Sequence, residues 1–311
     1  MNELLIDKVR GLSWFHAIDF GDFASQGRFR PGTPQNITLY GVFEFLKKLE
    51  VEGARLLDIG AYDGIVAFGA KKLGATVVAV DTFDHETFRL ARELLGFNES
   101  SVEYIPNVQI MDLLEKFEFS SFDVICCAGV IYHMLNPMEA FTVNRKLLKV
   151  GGYLIMESPY DARNDDAVLT FNGVEQIVNE PYTYFVPTLK ALKGMANLSG
   201  FEVVATRVLT SPKRVTLLLR AVNRGYLIEH NNTPPFIVQM LKRDTCDNSF
   251  RFRDLKEIGA AWRDSVSNGI LELREIDPAT EKVNFPFHPQ IHKPAYGSTR
   301  FETADGNTLK L

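Results

Sequence analysis

ARLLDIGAYDG, residues 54–64, is the stretch on which the reading of the whole chain turns. It opens as a short apolar run of strand length and passes through a loop bracketed by Gly60 and Gly64. It then runs into an amphipathic stretch that reaches about Leu73. A buried strand that feeds through glycines into a helix is the first half of a parallel βαβ unit. The same alternation continues downstream. TVVAVD (76–81) is followed by a helical pattern over 86–95, and VEYIP (102–106) by one near 111–117. FDVICCAG (122–129) leads through VIYHML into a helix over 137–148, after which Gly151-Gly152 reads as a turn into a fifth strand, YLIMES (153–158). FEVVATRV (201–208) and RVTLLLRAV (214–222), with Ser211-Pro212 between them, read as an antiparallel hairpin that ends the sheet. The expected fold is α/β: a Rossmann-like, mostly parallel seven-stranded sheet with helices on both faces, as the strongly apolar strands require.

Outside this region the pattern weakens. Residues 1–38 show no sustained periodicity and carry Gly21, Gly27, Pro31, Gly32 and Pro34, so a loop-rich segment is expected, with Trp14, Phe15 and Phe20 packed onto the main body. Apolar residues at 39, 42, 43, 45, 46 and 49 have helical spacing. From about residue 224 prolines and scattered charges dominate, with one helical stretch near 255–266. The division is therefore a cap segment (1–50), a central domain (51–223) and a C-terminal appendage or lid (224–311).

The bulk properties narrow the function. The chain has 311 residues, is 46% hydrophobic and carries a formal net charge of -5. Nucleic-acid binding is disfavoured by that charge, because phosphate neutralisation needs a basic face, so a diffusible small-molecule substrate is expected. No apolar run approaches the roughly 20 residues that span a bilayer. Cys126, Cys127 and Cys246 form no CxxC pair, the N-terminus does not read as a signal peptide, and a reducing, cytoplasmic setting is expected. Association into a homo-oligomer is left open.

The loop itself selects among ligands. Ligands of open α/β sheets lie beyond the carboxyl ends of the strands, where Gly60 and Gly64 let a ligand approach the backbone. The dinucleotide pattern GxGxxG fails, since Tyr62 and Ile65 stand where its second and third glycines belong. Asp63 would repel a pyrophosphate, whereas an acidic loop suits a cationic amino-acid end, a description that S-adenosylmethionine fits. Asp81, at the end of the second strand, is placed to accept hydrogen bonds from ribose hydroxyls.

DIGAYDG (58–64) followed by VVAVD (77–81) resembles the first two motifs of the class I S-adenosylmethionine-dependent methyltransferases. FDVICCAGVIYHMLNPMEAF (122–141) resembles the GVLYH-x-x-x-P motif of the subgroup that contains the wobble-uridine tRNA carboxymethyltransferase and many small-molecule methyltransferases. SWFHAIDFGD (13–22) and YFVPTLKALKGMANLSGFEVV (184–204) also resemble that subgroup, so the likeness covers roughly residues 12–222. It implies a cofactor site lined by Asp58, Gly60, Asp63 and Gly64, with Asp81 on the ribose and Gln109-Ile110 beside the adenine. Ala128 and Gly129 would lie under the methionine portion. The carboxymethyl-transferring enzymes have arginines just after the Tyr-His pair, where this chain has Met134, Leu135 and Asn136. Without a cation there, ordinary methyl transfer is expected.

Methyl transfer depends largely on alignment, and a base is needed only where the acceptor must lose a proton. His133, just past the fourth strand, is the candidate base, with loop orientation as its plainer role. His16, Glu157, Tyr182 and Tyr184 are candidate substrate contacts; a surface histidine, a solvated carboxylate and core aromatics are the alternatives. His288 and His292 are four apart, but Pro286 and Pro289 argue against a helix, and no metal is expected. A tRNA-modifying enzyme and a non-catalytic cofactor-binding module remain the competing functions.

Overall fold

The computed structural model describes residues 3–28, 36–173, 177–180 and 182–222, with the backbone of 300–302 and 308–310. The helical stretch expected near 255–266, the pair His288 and His292, Cys246 and nearly all of the 224–311 appendage lie outside the described residues. In chain order the elements are α1 (Glu3–Gly11), α2 (Tyr40–Lys48), β1 (Arg55–Ile59), α3 (Ile65–Lys72), β2 (Thr76–Val80), α4 (Glu86–Leu94) and β3 (Val102–Ile105). They continue with α5 (Leu113–Lys116), β4 (Phe122–Ala128), α6 (Pro137–Leu147), β5 (Leu148–Pro159), β6 (Leu169–Phe171), β7 (Phe185–Pro187), α7 (Leu189–Leu198), β8 (Phe201–Thr210) and β9 (Lys213–Ala221). A short antiparallel pair, β10 (Arg300–Glu302) with β11 (Thr308–Lys310), follows.

Seven strands make one sheet in the order β3-β2-β1-β4-β5-β9-β8. β1 pairs in parallel with β2 and with β4, and β2 with β3. β9 runs antiparallel to both β5 and β8, so the hairpin closes the sheet as the sequence indicates. The described residues fall into two compact units, one from those within Met1–Gln109, Val124–Ala128 and Val283–Leu311, the other from those within Ile110–Asp123 and Gly129–Lys282.

In the first unit, Val42, Phe43, Phe45, Leu46 and Leu49 of the α2 region are completely buried, as are Leu56 and Leu57 of β1. Each such side chain contributes roughly 1.5–3 kcal/mol relative to exposure. Trp14 and Phe20 are buried and Phe15 half-buried, so the aromatic residues of the N-terminal segment do pack. The segment is not all loop, because Glu3–Gly11 forms α1. A nine-residue helix is marginal alone; this one packs against α4, with Lys8 2.8 Å from Glu86. Trp14 then donates its indole N–H to the Val9 carbonyl at 2.8 Å.

In the second unit, α6 starts with Pro137 and α7 is capped by the Thr188 hydroxyl, which accepts from Ala191 N–H. Gly151-Gly152 lies inside β5 rather than before it. A Cβ on Gly152 would come within 2.7 Å of the Asp123 carbonyl oxygen, so this glycine serves a close backbone approach instead of a turn. The expected 111–117 helix is shorter, a 3-10 turn over Ile110–Asp112 leading into α5. In the first unit, Cys126 and Cys127 of β4 are fully buried, and burial pushes the Cys126 thiol well up, so it stays protonated. No helix among the described residues is long and apolar enough to cross a membrane.

Candidate functional site

The loop after β1 is set by backbone conformation. Gly60 (φ 75°) and Gly64 (φ 82°) are both left-handed, and Tyr62 between them takes φ 47°. A Cβ at Gly64 would also lie 2.4 Å from the Phe68 ring. Gly60 N–H and Ala61 N–H both donate to the Val80 carbonyl, at 3.0 and 3.1 Å, which ties the loop to the carboxyl end of β2.

Two carboxylates frame this loop from the strands. Asp58, on β1, is only 2% exposed, and its Oδ2 has no hydrogen-bond partner. Desolvation pushes its carboxyl up to about 7, against a backbone N–H from Ala67 that favours the ionised form. Asp81, just past β2, accepts from Tyr62 N–H at 2.9 Å on Oδ2 and from Phe83 N–H at 3.0 Å on Oδ1. Nε2 of His85 lies 3.1 Å from the same Oδ1, a charge contact without the alignment of a good hydrogen bond. Burial works against the Asp81 charge, but His85 and the two backbone donors outweigh it and hold the carboxyl below its ordinary value. The His85 ring stacks on Tyr62, with centroids 4.3 Å apart.

Asp63 is fully buried. Its Oδ2 accepts the backbone N–H groups of Phe15 (2.7 Å) and His16 (2.8 Å), and its Oδ1 accepts the Thr87 hydroxyl (2.5 Å). The acidity of the loop at this position is thus turned toward the chain itself. His16 is buried against Asp63 and is not a surface histidine; its Nδ1 is 3.6 Å from the carboxylate. Asn36 holds the same segment, its side chain exchanging hydrogen bonds with both backbone groups of Ala17. Gln109 is exposed at the end of this unit.

The second unit builds its own cluster at the carboxyl end of β5. Gly129 N–H donates to the Glu157 carbonyl oxygen at 3.1 Å. The Glu157 carboxylate is 1% exposed and is held by Arg214 through a two-pronged contact, Nε to Oε1 at 2.6 Å and Nη2 to Oε2 at 2.8 Å. It is therefore not a solvated carboxylate. Arg214 Nη2 also reaches the Tyr132 hydroxyl at 3.3 Å, and the guanidinium lies 5.0 Å from that ring's centre. Desolvation opposes the Arg214 charge, but Glu157 overrides it and keeps the guanidinium above its ordinary pKa; burial raises Tyr132, which remains a neutral phenol.

His133 is half-buried in a 3-10 turn (Ile131–His133), with Nδ1 2.8 Å from the Tyr182 carbonyl oxygen. That contact leaves Nε2 as the nitrogen available to a proton. Tyr182 is 69% exposed, whereas Tyr184 is half-buried and gives its N–H to the Tyr132 carbonyl at 2.8 Å. Ala128 and Ile110 are each half-buried. Sequence reasoning missed His85, Tyr132 and Arg214. It sought a cation directly after the Tyr132-His133 pair, and the structure brings one to Tyr132 from β9.

Strands alternating with helices, an extended hairpin at one end and a glycine loop after the first strand define a Rossmann-like nucleotide-cofactor fold. A family described as a methyltransferase domain matches residues 35–206, more than half the chain, and the chain belongs to it; S-adenosylmethionine is the methyl donor of this enzyme family. A tRNA U34 carboxymethyltransferase from Campylobacter curvus is 30% identical over 180 residues, covering 54% of this chain and 56% of that protein. A ubiquinone biosynthesis O-methyltransferase from Xanthomonas oryzae pv. oryzae is 34% identical over 111 residues, 36% of this chain and 45% of that one. The chain thus spans about half the length of the curated relatives it matches. Among solved structures, a Burkholderia thailandensis 1,6-didemethyltoxoflavin-N1-methyltransferase with bound S-adenosylhomocysteine superposes with a TM-score of 0.50 at 16% identity, covering 60% of this chain and 79% of that one. The [4+2]-cyclase SpnF gives 0.51 at 13% identity, over 71% and 93%. These two likenesses establish the fold alone, and a cyclase among them illustrates that this fold does not dictate one reaction.

Proposed function

We propose that this protein transfers a methyl group from S-adenosylmethionine to a small-molecule acceptor, with 51–223 as the transferase domain, 1–50 as its cap segment and 224–311 as an appendage or lid. The observation that carries the cofactor assignment is Asp58: a buried carboxylate oxygen with no hydrogen-bond partner, beside a glycine loop, is suited to a cationic group. An ammonium group fits that need. Asp81 keeps acceptor capacity for ribose hydroxyls, Gly60 and Gly64 allow close approach, and Gln109, Ile110, Ala128 and Gly129 are carried over from the sequence likeness as further cofactor contacts. Asp63, with its oxygens engaged by Phe15, His16 and Thr87, acts on the site by holding the cap segment against the loop. Bound, the cofactor supplies a methyl group activated by its sulfonium.

His133 accepts the acceptor's proton through Nε2, with its ring oriented by the Tyr182 carbonyl, and Tyr184 shapes the acceptor side. His133→Ala is expected to lower kcat by roughly 10²–10⁴-fold with an acceptor that must lose a proton. Cofactor affinity should stay within twofold, and an unchanged kcat would remove His133 as the base. The test of the function itself is calorimetric titration with S-adenosylmethionine and with NADH, followed by transfer assays on phenols, amines and carbon acids. No binding of the first, or binding without transfer to any acceptor class, would defeat the proposal; the second outcome would favour a binding module.

A second reading is favoured by one observation. The buried Arg214 beside Tyr132 is the type of group that would meet a carboxylate on a transferred carboxymethyl group, and the Campylobacter relative is a carboxymethyltransferase acting on tRNA. Glu157 already neutralises Arg214, and the net charge of -5 opposes RNA binding, so methyl transfer is preferred. Tighter binding of a carboxymethyl sulfonium analogue than of S-adenosylmethionine, together with tRNA binding at low salt, would reverse that preference.

A further inference from the structure

We infer that His85 is a positioning residue for the cofactor: held between the Tyr62 ring and the Asp81 carboxylate, it fixes the orientation in which Asp81 presents itself to the ribose. This rests on the reading of Asp81 as the ribose contact.

The geometry is specific. The two backbone donors reach Asp81 from Tyr62 on one oxygen and from Phe83 on the other. His85 adds a side-chain contact at 3.1 Å on Oδ1 and lies flat against Tyr62, at an interplanar angle of 27°. It therefore links the tip of the glycine loop to the end of β2, the two places from which a ribose would be gripped. Its own placement is firm: His85 N–H donates to the Tyr104 hydroxyl at 3.0 Å, and that hydroxyl donates to the Phe83 carbonyl at 3.1 Å. The side chain is 16% exposed, so water does not compete freely for the contact.

The charges around it favour an imidazolium. Asp63 approaches from the glycine loop, Asp81 from β2 and Asp84 from the connecting loop, while Asp84 is itself paired with Arg89 of α4. Glu86 of α4 is engaged by Lys8 of α1, and Tyr104 of β3, pushed up to about 12 by burial, is neutral. Desolvation opposes the His85 charge, but Asp81 leads the carboxylates that outweigh it, so its pKa stands above the ordinary imidazole value. The charge is present below that value and lost as pH rises through it. An imidazolium faces the Asp81 carboxylate with a full charge and a neutral ring only with a dipole, so the positioning effect weakens in alkaline solution without vanishing.

The test compares wild-type protein with His85→Gln, which keeps a neutral donor. Titration with S-adenosylmethionine at pH 6 is expected to give a Kd about tenfold weaker for the variant, and at pH 9 only about threefold weaker. Titration of Asp58 is common to both proteins and drops out of that ratio. Saturated kcat should change by less than twofold while KM for the cofactor rises, a division that general destabilisation would not produce. Should the variant fold poorly, the His85 resonance of the wild type can be titrated with and without S-adenosylhomocysteine; its pKa is expected to rise on binding. A variant-to-wild-type ratio that does not change with pH, or a ligand that leaves the His85 titration unmoved, would overturn the inference. Asp81→Ala separates the two layers. If it leaves cofactor affinity intact, the ribose reading fails; if it weakens affinity while His85→Gln does not, only the positioning role fails.

Discussion

Asp81→Ala should weaken S-adenosylmethionine binding by roughly 30- to 1000-fold, a loss of about 2–4 kcal/mol. The estimate comes from what the carboxylate does in the structure. It accepts from Tyr62 N–H and Phe83 N–H and faces His85, so its removal strands two backbone donors and an imidazole as well as the ribose hydroxyls. Hydrogen bonds to a charged acceptor contribute about 1.5–3 kcal/mol each, but the freed backbone groups partly recover through water. Asp81→Asn keeps the shape and one acceptor oxygen, and should fall between the two. Calorimetry decides the matter: an alanine variant that binds the cofactor as the wild type does would remove Asp81 from the site.

The second large effect is on stability. Glu157 and Arg214 form a buried, two-pronged pair, so deleting either partner leaves the other charge uncompensated. Glu157→Leu and Arg214→Met are each expected to destabilise the fold by about 3–5 kcal/mol in urea unfolding, whereas the double variant should recover most of that loss. Additive losses in the double variant would show that the pair is not coupled. A folded double variant is also informative in the transfer assay. It retains Tyr132 but lacks the cation beside it, so loss of transfer in a stable protein places the pair in acceptor or donor recognition.

The framework was readable because its signals are local. Strand runs such as TVVAVD, the glycines at 60 and 64 and the Ser211-Pro212 turn each declare themselves within a few residues. Glycines at 151 and 152 misled for the same reason, since the close approach of Asp123 that they serve is a tertiary fact. The helix α1 was hidden because its stability comes from α4, far along the chain. The site was legible only where the partners are near in sequence. Asp63 reads as an acid facing a cationic ligand, but its partners Phe15 and His16 lie 48 and 47 residues away, and nothing in the loop announces them. Arg214 stands 57 residues from Glu157 and 82 from Tyr132, on a strand that reads simply as apolar. His85 carried a fainter signal: a histidine four residues past the strand-end carboxylate, in a loop too short to take it elsewhere.

Asp58 has one more consequence, which concerns protons. Burial pushes the Asp58 carboxyl up to about 7, so the side chain holds its proton well above the ordinary carboxylate range. A cationic ligand arriving beside it favours the ionised form, so that proton must leave as the ligand enters. Cofactor binding is then an exchange, one cation in and a fraction of a proton out. In the His85→Gln variant, which has no imidazole at that position to take up a proton, its calorimetric heat near neutral pH will differ between phosphate and Tris in proportion to their ionisation enthalpies, and that difference will fade in alkaline solution, where Asp58 is ionised. Equal heats in the two buffers for that variant would mean that the cation settles somewhere other than against this carboxylate.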